Sequence, residues 1–264
     1  MADPNAVNAL EKLVDIMARL RAPGGCPWDR EQTPASLRPY LLEETYEVLE
    51  AIEHGSAAER CDELGDLLLQ VVFQAEIASE AGEFTIAEVA RAITDKLVRR
   101  HPHVFGNVAV RDAGEVMRNW HEIKAAERRA AGTDTSLLAG VPQALPALAR
   151  AQKIGQKAAR AGFDWPDVQG VFAKVREEQA ELEEAVAHGD LEAARRELGD
   201  ALLTLVSVAR HLDVPAEMAL RDATERFEAR FQHCEAAARD QGVALAAMTD
   251  AERDRLWTAA KAKV

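Results

Sequence analysis

Residues 43–69 read EETYEVLEAIEHGSAAERCDELGDLLL, and residues 177–203 read EEQAELEEAVAHGDLEAARRELGDALL. Laid over each other at an offset of 134, the two stretches agree at 13 of 27 positions. The agreement is concentrated at Glu44/Glu178, Glu47/Glu181, His54-Gly55/His188-Gly189 and Glu63-Leu64-Gly65-Asp66/Glu197-Leu198-Gly199-Asp200. A match at one fixed offset marks a structural unit written twice. The expected organisation is therefore a first unit over residues 1–132 and a second over 143–264. The Gly-, Thr- and Pro-bearing stretch 133–142 is the expected linker.

Outward from the repeat, each copy reads as helices. In the first, apolar residues recur at helical spacing through 7–20 and 40–52, with Gly55 placed to close the second of these. Ser56-x-x-Glu59 is a capping-box signal for a helix over 57–80, which Gly82 ends. Thr85-x-x-Glu88 opens another that His101-Pro102 stops, and 112–131 is a polar helix carrying Trp120. In the second copy the expected helices are 145–161, 168–187, 191–211 and 215–240, with a last one capped by Thr249-x-x-Glu252. No stretch alternates with the strand period. The expectation is an all-α chain of two tandem helical units.

Composition agrees and narrows the function classes. The chain has 264 residues, 48% hydrophobic and only 5% aromatic, with 15 Gly and 10 Pro, which favours helix over sheet and provides for a core. Lys and Arg number 32 against 45 Asp and Glu, a net charge of −13, with a pI near 5.1. That balance argues against nucleic acid as a partner, because such binding is driven by Lys and Arg releasing counterions. It also means that any polyanionic substrate needs a local cation. The longest uncharged apolar runs, 67–75 and 201–209, have about half the ~20 residues of a membrane span, so no membrane role is expected. Glu11, Lys12, Asp15, Arg19 and Arg21 interrupt any signal-peptide core. Cys26, Cys61 and Cys234 are odd in number, with no C-x-x-C pair, which suits reduced thiols and a cytoplasmic protein.

The chemistry lies in the acidic positions of the repeat. Glu44-x-x-Glu47 falls on one helix and Glu63-x-x-Asp66 on the next, and the second copy repeats them as Glu178-x-x-Glu181 and Glu197-x-x-Asp200. Residues three apart share a helix face, so two carboxylates from each of two antiparallel helices can converge. Like charges at this spacing repel, and a hard divalent cation with oxygen ligands offsets that cost. A solvated acidic face is the plainer alternative for any one Glu-x-x-Glu. The 3–16–3 spacing held in both copies, beside the apolar Leu64, Leu67, Leu68 and Val71, favours the metal. Gly65 and Gly199 sit inside helices, where Gly costs ~1 kcal/mol against Ala. A close approach of backbone or ligand there is expected.

The quartet and its flanks resemble the MazG family of nucleoside triphosphate pyrophosphohydrolases over almost the whole chain. The flanking motifs are Gly25-Cys26-Pro27-Trp28-Asp29 with Glu31-Gln32-Thr33, and Leu42-Glu43-Glu44-Thr45-Tyr46-Glu47. Others are Arg99-Arg100-His101-Pro102-His103-Val104-Phe105, Arg150-Ala151-Gln152-Lys153-Ile154 and Gly162-Phe163-Asp164-Trp165. The resemblance implies helical units whose four-helix arrangements are completed by homodimerisation. It implies hydrolysis of nucleoside triphosphates to monophosphate and pyrophosphate, clearing nucleotide pools, with Mg²⁺ as cofactor and Mn²⁺ as a substitute. It also implies that catalysis resides in the second unit. Carried over by position, the metal ligands are Glu178, Glu181, Glu197 and Asp200, with Glu44, Glu47, Glu63 and Asp66 as first-unit counterparts. Glu178 or Glu181 is the candidate general base, a choice that spacing leaves open.

Triphosphate contacts are expected from Lys153 and Lys157, which share a helical stripe with Arg160, and from Arg226 and Arg230, whose i, i+4 spacing parallels Lys96 and Arg100. The family often carries Asn at the position of Thr224 and Lys at that of Arg226, and Arg is not a neutral substitute for Lys. Trp165 and Trp28 can each stack on a base or anchor a helix entry. His101-Pro102-His103 reads as a helix stop. No G-x-x-x-x-G-K-[ST] loop and no G-x-S-x-G motif is present, which excludes a P-loop enzyme and leaves no readable side-chain nucleophile. A different class of function is a helical regulatory or partner-binding protein of a stress or toxin–antitoxin system, its metal mainly structural. A third is a relative dedicated to one nucleotide, which the Gly-Phe-Asp-Trp segment argues against.

Overall fold

A computed structural model describes residues 3–130 and 136–263. Among them are twelve α-helices, one 3-10 turn and no strand, so the chain is all-α. It divides into two compact units, residues 1–130 and 131–264. Part of the stretch expected to be the linker, residues 133–135, lies outside the described residues. No described helix is long and apolar enough to cross a membrane.

The first unit runs α1 (Pro4–Arg21), α2 (Pro27–Glu31), α3 (Arg38–Glu53), α4 (Ala57–Glu80), α5 (Ile86–Arg100), α6 (Pro102–Phe105) and α7 (Ala113–Ala130). Its core is Met17, Leu37, Val72 and Phe73, packed round by Leu13, Val14, Leu20, Leu69, Ile77 and Ile86. Apolar stripes of α1 and α4 supply most of these residues, with Leu37 just before α3 and Ile86 at the start of α5 completing the cluster, and their burial holds the unit together. Arg21, almost wholly buried, ties α1 to its neighbours. It donates to both carboxylate oxygens of Glu80, at 2.8 and 2.7 Å, and to the carbonyls of Asp29 and Gln32.

The second unit runs α8 (Ala147–Arg160), α9 (Val168–Ala187), α10 (Leu191–His211), α11 (Ala216–Asp240), a 3-10 turn (Leu245–Ala247) and α12 (Asp250–Lys261). Its buried apolar residues are mostly small, Val171, Ala185, Val206, Val208, Ala216, Cys234, Ala238 and Ala260, with Met248 the one large side chain among those described. Arg210 reaches from the end of α10 to clamp Asp164 with two donors, and His211 lies 3.2 Å from the same carboxylate. Asp164 in turn accepts from the amide of Trp165, which fixes the loop leading into α9.

Local signals place the helix ends. The capping boxes at Ser56/Glu59, Thr85/Glu88 and Thr249/Glu252 all form, with both reciprocal hydrogen bonds. The His-Gly pair ends the first helix of each hairpin for two different reasons. Gly189 adopts φ +69, a left-handed turn natural to glycine. Gly55 has no positive φ; a Cβ there would stand 2.7 Å from the carbonyl oxygen of Ala51. The short helices α2 and α6 carry no readable periodicity, and each begins with a proline at its first turn. His101 caps α5 as expected, and Pro102 then starts α6 rather than ending helical structure outright.

Candidate functional site

The hairpins α3–α4 and α9–α10 carry the two acidic quartets. In the first, Glu44 and Glu47 on α3 and Glu63 on α4 each offer an oxygen within 4.8 Å of the others. Asp66 stands outside this trio, yet its charge reaches Glu44. Partial burial pushes the Glu44 carboxyl up, helped by Asp66 and by a hydrogen bond with Glu47. Glu63 is pushed up by desolvation and then by the charges of Glu47 and Asp66. Glu47 and Glu63 also line an open cleft of about 330 Å³ with Glu50, His54 and Glu59. In the second hairpin the trio is Glu178 on α9 with Glu197 and Asp200 on α10, again within 4.8 Å. Glu181 lies outside it, one turn along α9 and exposed.

Each quartet thus brings three of its four carboxylates together. The trios suit a hard cation: every donor is a carboxylate oxygen, with no thiol or imidazole among them. The second trio has a feature that its counterpart does not share among the described residues. Glu178 is only 4% exposed, and Lys174, one turn before it on α9, places its ammonium 2.7 Å from the carboxylate.

The expectation of a close approach at Gly65 and Gly199 needs correcting as far as this chain's own atoms go. Beyond the local backbone of its own helix, no atom lies within 4 Å of a Cβ built at either position. Both glycines face open space, so neighbouring backbone does not explain them.

The basic positions divide. Lys153 is exposed on α8. Lys157 donates to the carbonyl of Ala139 at 2.7 Å, which gives it a structural task within its unit. Burial lowers Arg160 from its usual range. Thr224 turns its hydroxyl back to the carbonyl of Leu220 at 2.9 Å. Arg226 and Arg230 lie on α11, on which Phe227 stacks near Phe231 at 6.1 Å and meets Trp257 of α12 at 5.2 Å. Trp165 leans on the first turn of α9, where a Cβ at Gly170 would meet it at 3.2 Å. Trp28 packs edge-on against Tyr40 and Phe73, at 5.7 and 6.4 Å. About half of its surface, 49%, stays exposed. No hydrogen bond or ion pair among the described residues joins Lys153, Arg226 or Trp165 to the second trio.

Two residues escaped the reading of the sequence. Lys174 was readable as an i, i+4 partner of Glu178. Trp257 was readable from the Trp-x-x-x-Lys spacing that residues 257 and 261 share with Trp120 and Lys124. In the first unit that spacing sets Lys124 over the Trp120 ring at 4.9 Å, with Arg100 at 5.4 Å.

Comparison with known proteins agrees with the repeat. The MazG nucleotide pyrophosphohydrolase domain matches twice, at residues 32–105 and 167–235. The nucleoside triphosphate pyrophosphohydrolase/pyrophosphatase MazG of Thermotoga maritima is 44% identical over 251 residues, covering 95% of each chain. The nucleoside triphosphate pyrophosphohydrolase of Escherichia coli K12 is 43% identical over 260 residues, 97% of this chain and 98% of its own. A Bacillus subtilis protein, YabN, is 45% identical over 250 residues, 93% of this chain but only 50% of its own. With the domain present twice and full-length relatives above two-fifths identity, this chain belongs to the MazG family of nucleotide pyrophosphohydrolases.

Proposed function

We propose that this protein hydrolyses nucleoside triphosphates, ribo- and deoxyribonucleotides alike, to the monophosphate and pyrophosphate, and so clears nucleotide pools. The observation that carries the reading is the recurrence of an acidic trio in both hairpins, each inside a matched MazG segment. The second unit is the proposed catalytic one. Glu178, Glu197 and Asp200 would hold Mg²⁺, or Mn²⁺ in its place, and Glu44, Glu47 and Glu63 would form the first-unit counterpart. A bound divalent cation neutralises charge on the triphosphate and makes an attacking water more acidic.

The chain's own residues have separable tasks in this reading. Glu178 is buried and already paired, which fits a ligand better than a proton acceptor. Glu181 stands beside the trio without joining it, so its carboxylate is the better general base for a water attacking in line. Asp200 on α10 and Asp66 on α4, the fourth members of the two quartets, differ in role between units, inside the trio in one and outside it in the other. Lys153, Arg226 and Arg230 supply cations for the phosphates. Trp165 and Trp257 offer ring faces for the nucleoside. The proposed assembly is a homodimer. Leu64, Leu68 and Val71 on α4 and Leu198, Leu202 and Leu205 on α10 leave apolar surface exposed beside both trios, and Gly65 and Gly199 leave room for a facing helix.

The test is incubation with each NTP and dNTP plus Mg²⁺, with detection of both phosphate products. Stoichiometric pyrophosphate and monophosphate are expected. Orthophosphate alone, or no turnover of any triphosphate, overturns the reading.

A further inference from the structure

The two hairpins differ at one position that bears directly on their carboxylates. On α9, Lys174 stands four residues before Glu178; 134 residues earlier, the matching position on α3 is Tyr40. The Tyr40 ring packs against Trp28, whereas the Lys174 ammonium contacts Glu178 at 2.7 Å. Among the described residues it is the one cation in salt-bridge reach of that carboxylate. Glu178 has only 6% of its side chain exposed and faces the oxygens of Glu197 and Asp200. A carboxylate so placed requires a positive partner.

We propose that Lys174 is a tethered counter-ion of the second trio, which competes with the divalent cation for Glu178 and must release it before that trio can be loaded. An ordinary i, i+4 surface pair would have no such effect. Three features set this one apart. Glu178 is a member of the trio and not a bystander. It is buried, so two cations cannot share it at low cost. And Lys174 has somewhere else to go: it also touches Glu177, at 2.7 Å, on the more exposed side of the helix. Leaving Glu178 therefore costs the ammonium one of two contacts, not both. The device keeps the trio from standing as uncompensated negative charge, and it makes the second unit's metal affinity lower than its carboxylates alone would set.

The proposal rests on the reading that the second trio holds a divalent cation, and the experiment separates the two. Mn²⁺ binding is measured by electron paramagnetic resonance without nucleotide, on the full chain with the first trio disabled by E47Q and E63Q. Lys174→Met should tighten Mn²⁺ by about three- to tenfold, the range for a partly exposed ammonium leaving a buried carboxylate. Lys174→Arg, which keeps the charge, should bind like the parent. Equal or weaker binding by Lys174→Met overturns the competition, as does tightening by Lys174→Arg equal to that of the Met variant. Absence of any bound Mn²⁺ in the parent, or binding unchanged by Glu197→Gln, overturns the metal reading itself and the proposal with it. A circular-dichroism melt of each variant establishes that α9 remains folded.

Discussion

In the first unit the converging carboxylates are Glu44, Glu47 and Glu63, and in the second they are Glu178, Glu197 and Asp200. Three of four aligned positions serve in each case, but the position left out moves from the end of the quartet to its second member. The two hairpins also manage repulsion differently. Among the described residues no ion pair reaches Glu44 in the first, and its carboxyl is pushed up by burial, by Asp66 and by Glu47. The second seats an ammonium on Glu178. A duplicated motif thus preserves the list of acids while allowing their charge balance to diverge, and one substitution, Tyr against Lys, suffices to change it. The cores diverge in parallel: a Phe-centred cluster in the first unit, and mostly Val and Ala in the second.

The comparison can be pressed hardest at the cores. Phe73→Ala removes the largest buried side chain of the first cluster and should destabilise that unit by about 3–5 kcal/mol. Val206→Ala in the second should cost roughly 1–3 kcal/mol, since fewer methyl groups are lost. Denaturant titration of each variant checks both, and equal losses would mean that the second core is tighter than its residues suggest. Next in size is the division of labour between trios. Glu197→Gln should lower turnover about 100-fold or more, whereas Glu63→Gln should remove one bound ion and lower turnover by less than about threefold. Loss with Glu63→Gln alone would move catalysis to the first unit.

Smaller effects come from the hairpin caps. Ser56→Ala should cost about 1 kcal/mol at the start of α4, and Asp190→Ala about the same at α10, where its carboxylate accepts from the Ala193 amide at 2.9 Å. Thermal melts of the two variants should therefore shift alike, although only the first cap is a full box. The smallest change is one of acid sensitivity. Hydrogen bonds from Arg100 and then Arg99 hold the Glu127 carboxyl at about 2. Because the folded value lies below the unfolded one, this contribution is present above the ordinary carboxylate range and is lost as pH falls towards 2. Glu127→Gln should flatten the decline in first-unit stability between neutral pH and that limit, and an unchanged slope would assign the decline to other carboxylates.

Much of this was legible beforehand, for reasons that can be named. Helix α4 was readable to the residue because Ser56-x-x-Glu59 marks its start and Gly82 its end, and α9 and α10 because the repeat aligned them. Helices α2 and α6 were not, since four or five residues hold no period. Membership of the quartets was readable from spacing. Which three members meet was not, because i, i+3 places two residues on one face without setting the rotamer or the partner helix's rotation. Gly65 and Gly199 misled in part: a costly glycine signals a need for room but does not say what enters it.

The His-Gly turns carry a consequence for how far these two units can drift apart. At 189 the need is angular, and Asn or Asp, which tolerate left-handed backbone, can meet it at modest cost. At 55 the need is for empty volume beside a carbonyl, which no side chain leaves. Across relatives, the substitution spectrum at 189 should therefore be broader than at 55. Identical letters in a tandem repeat can be under unequal selection, and counting them overstates how alike the two hairpins have remained.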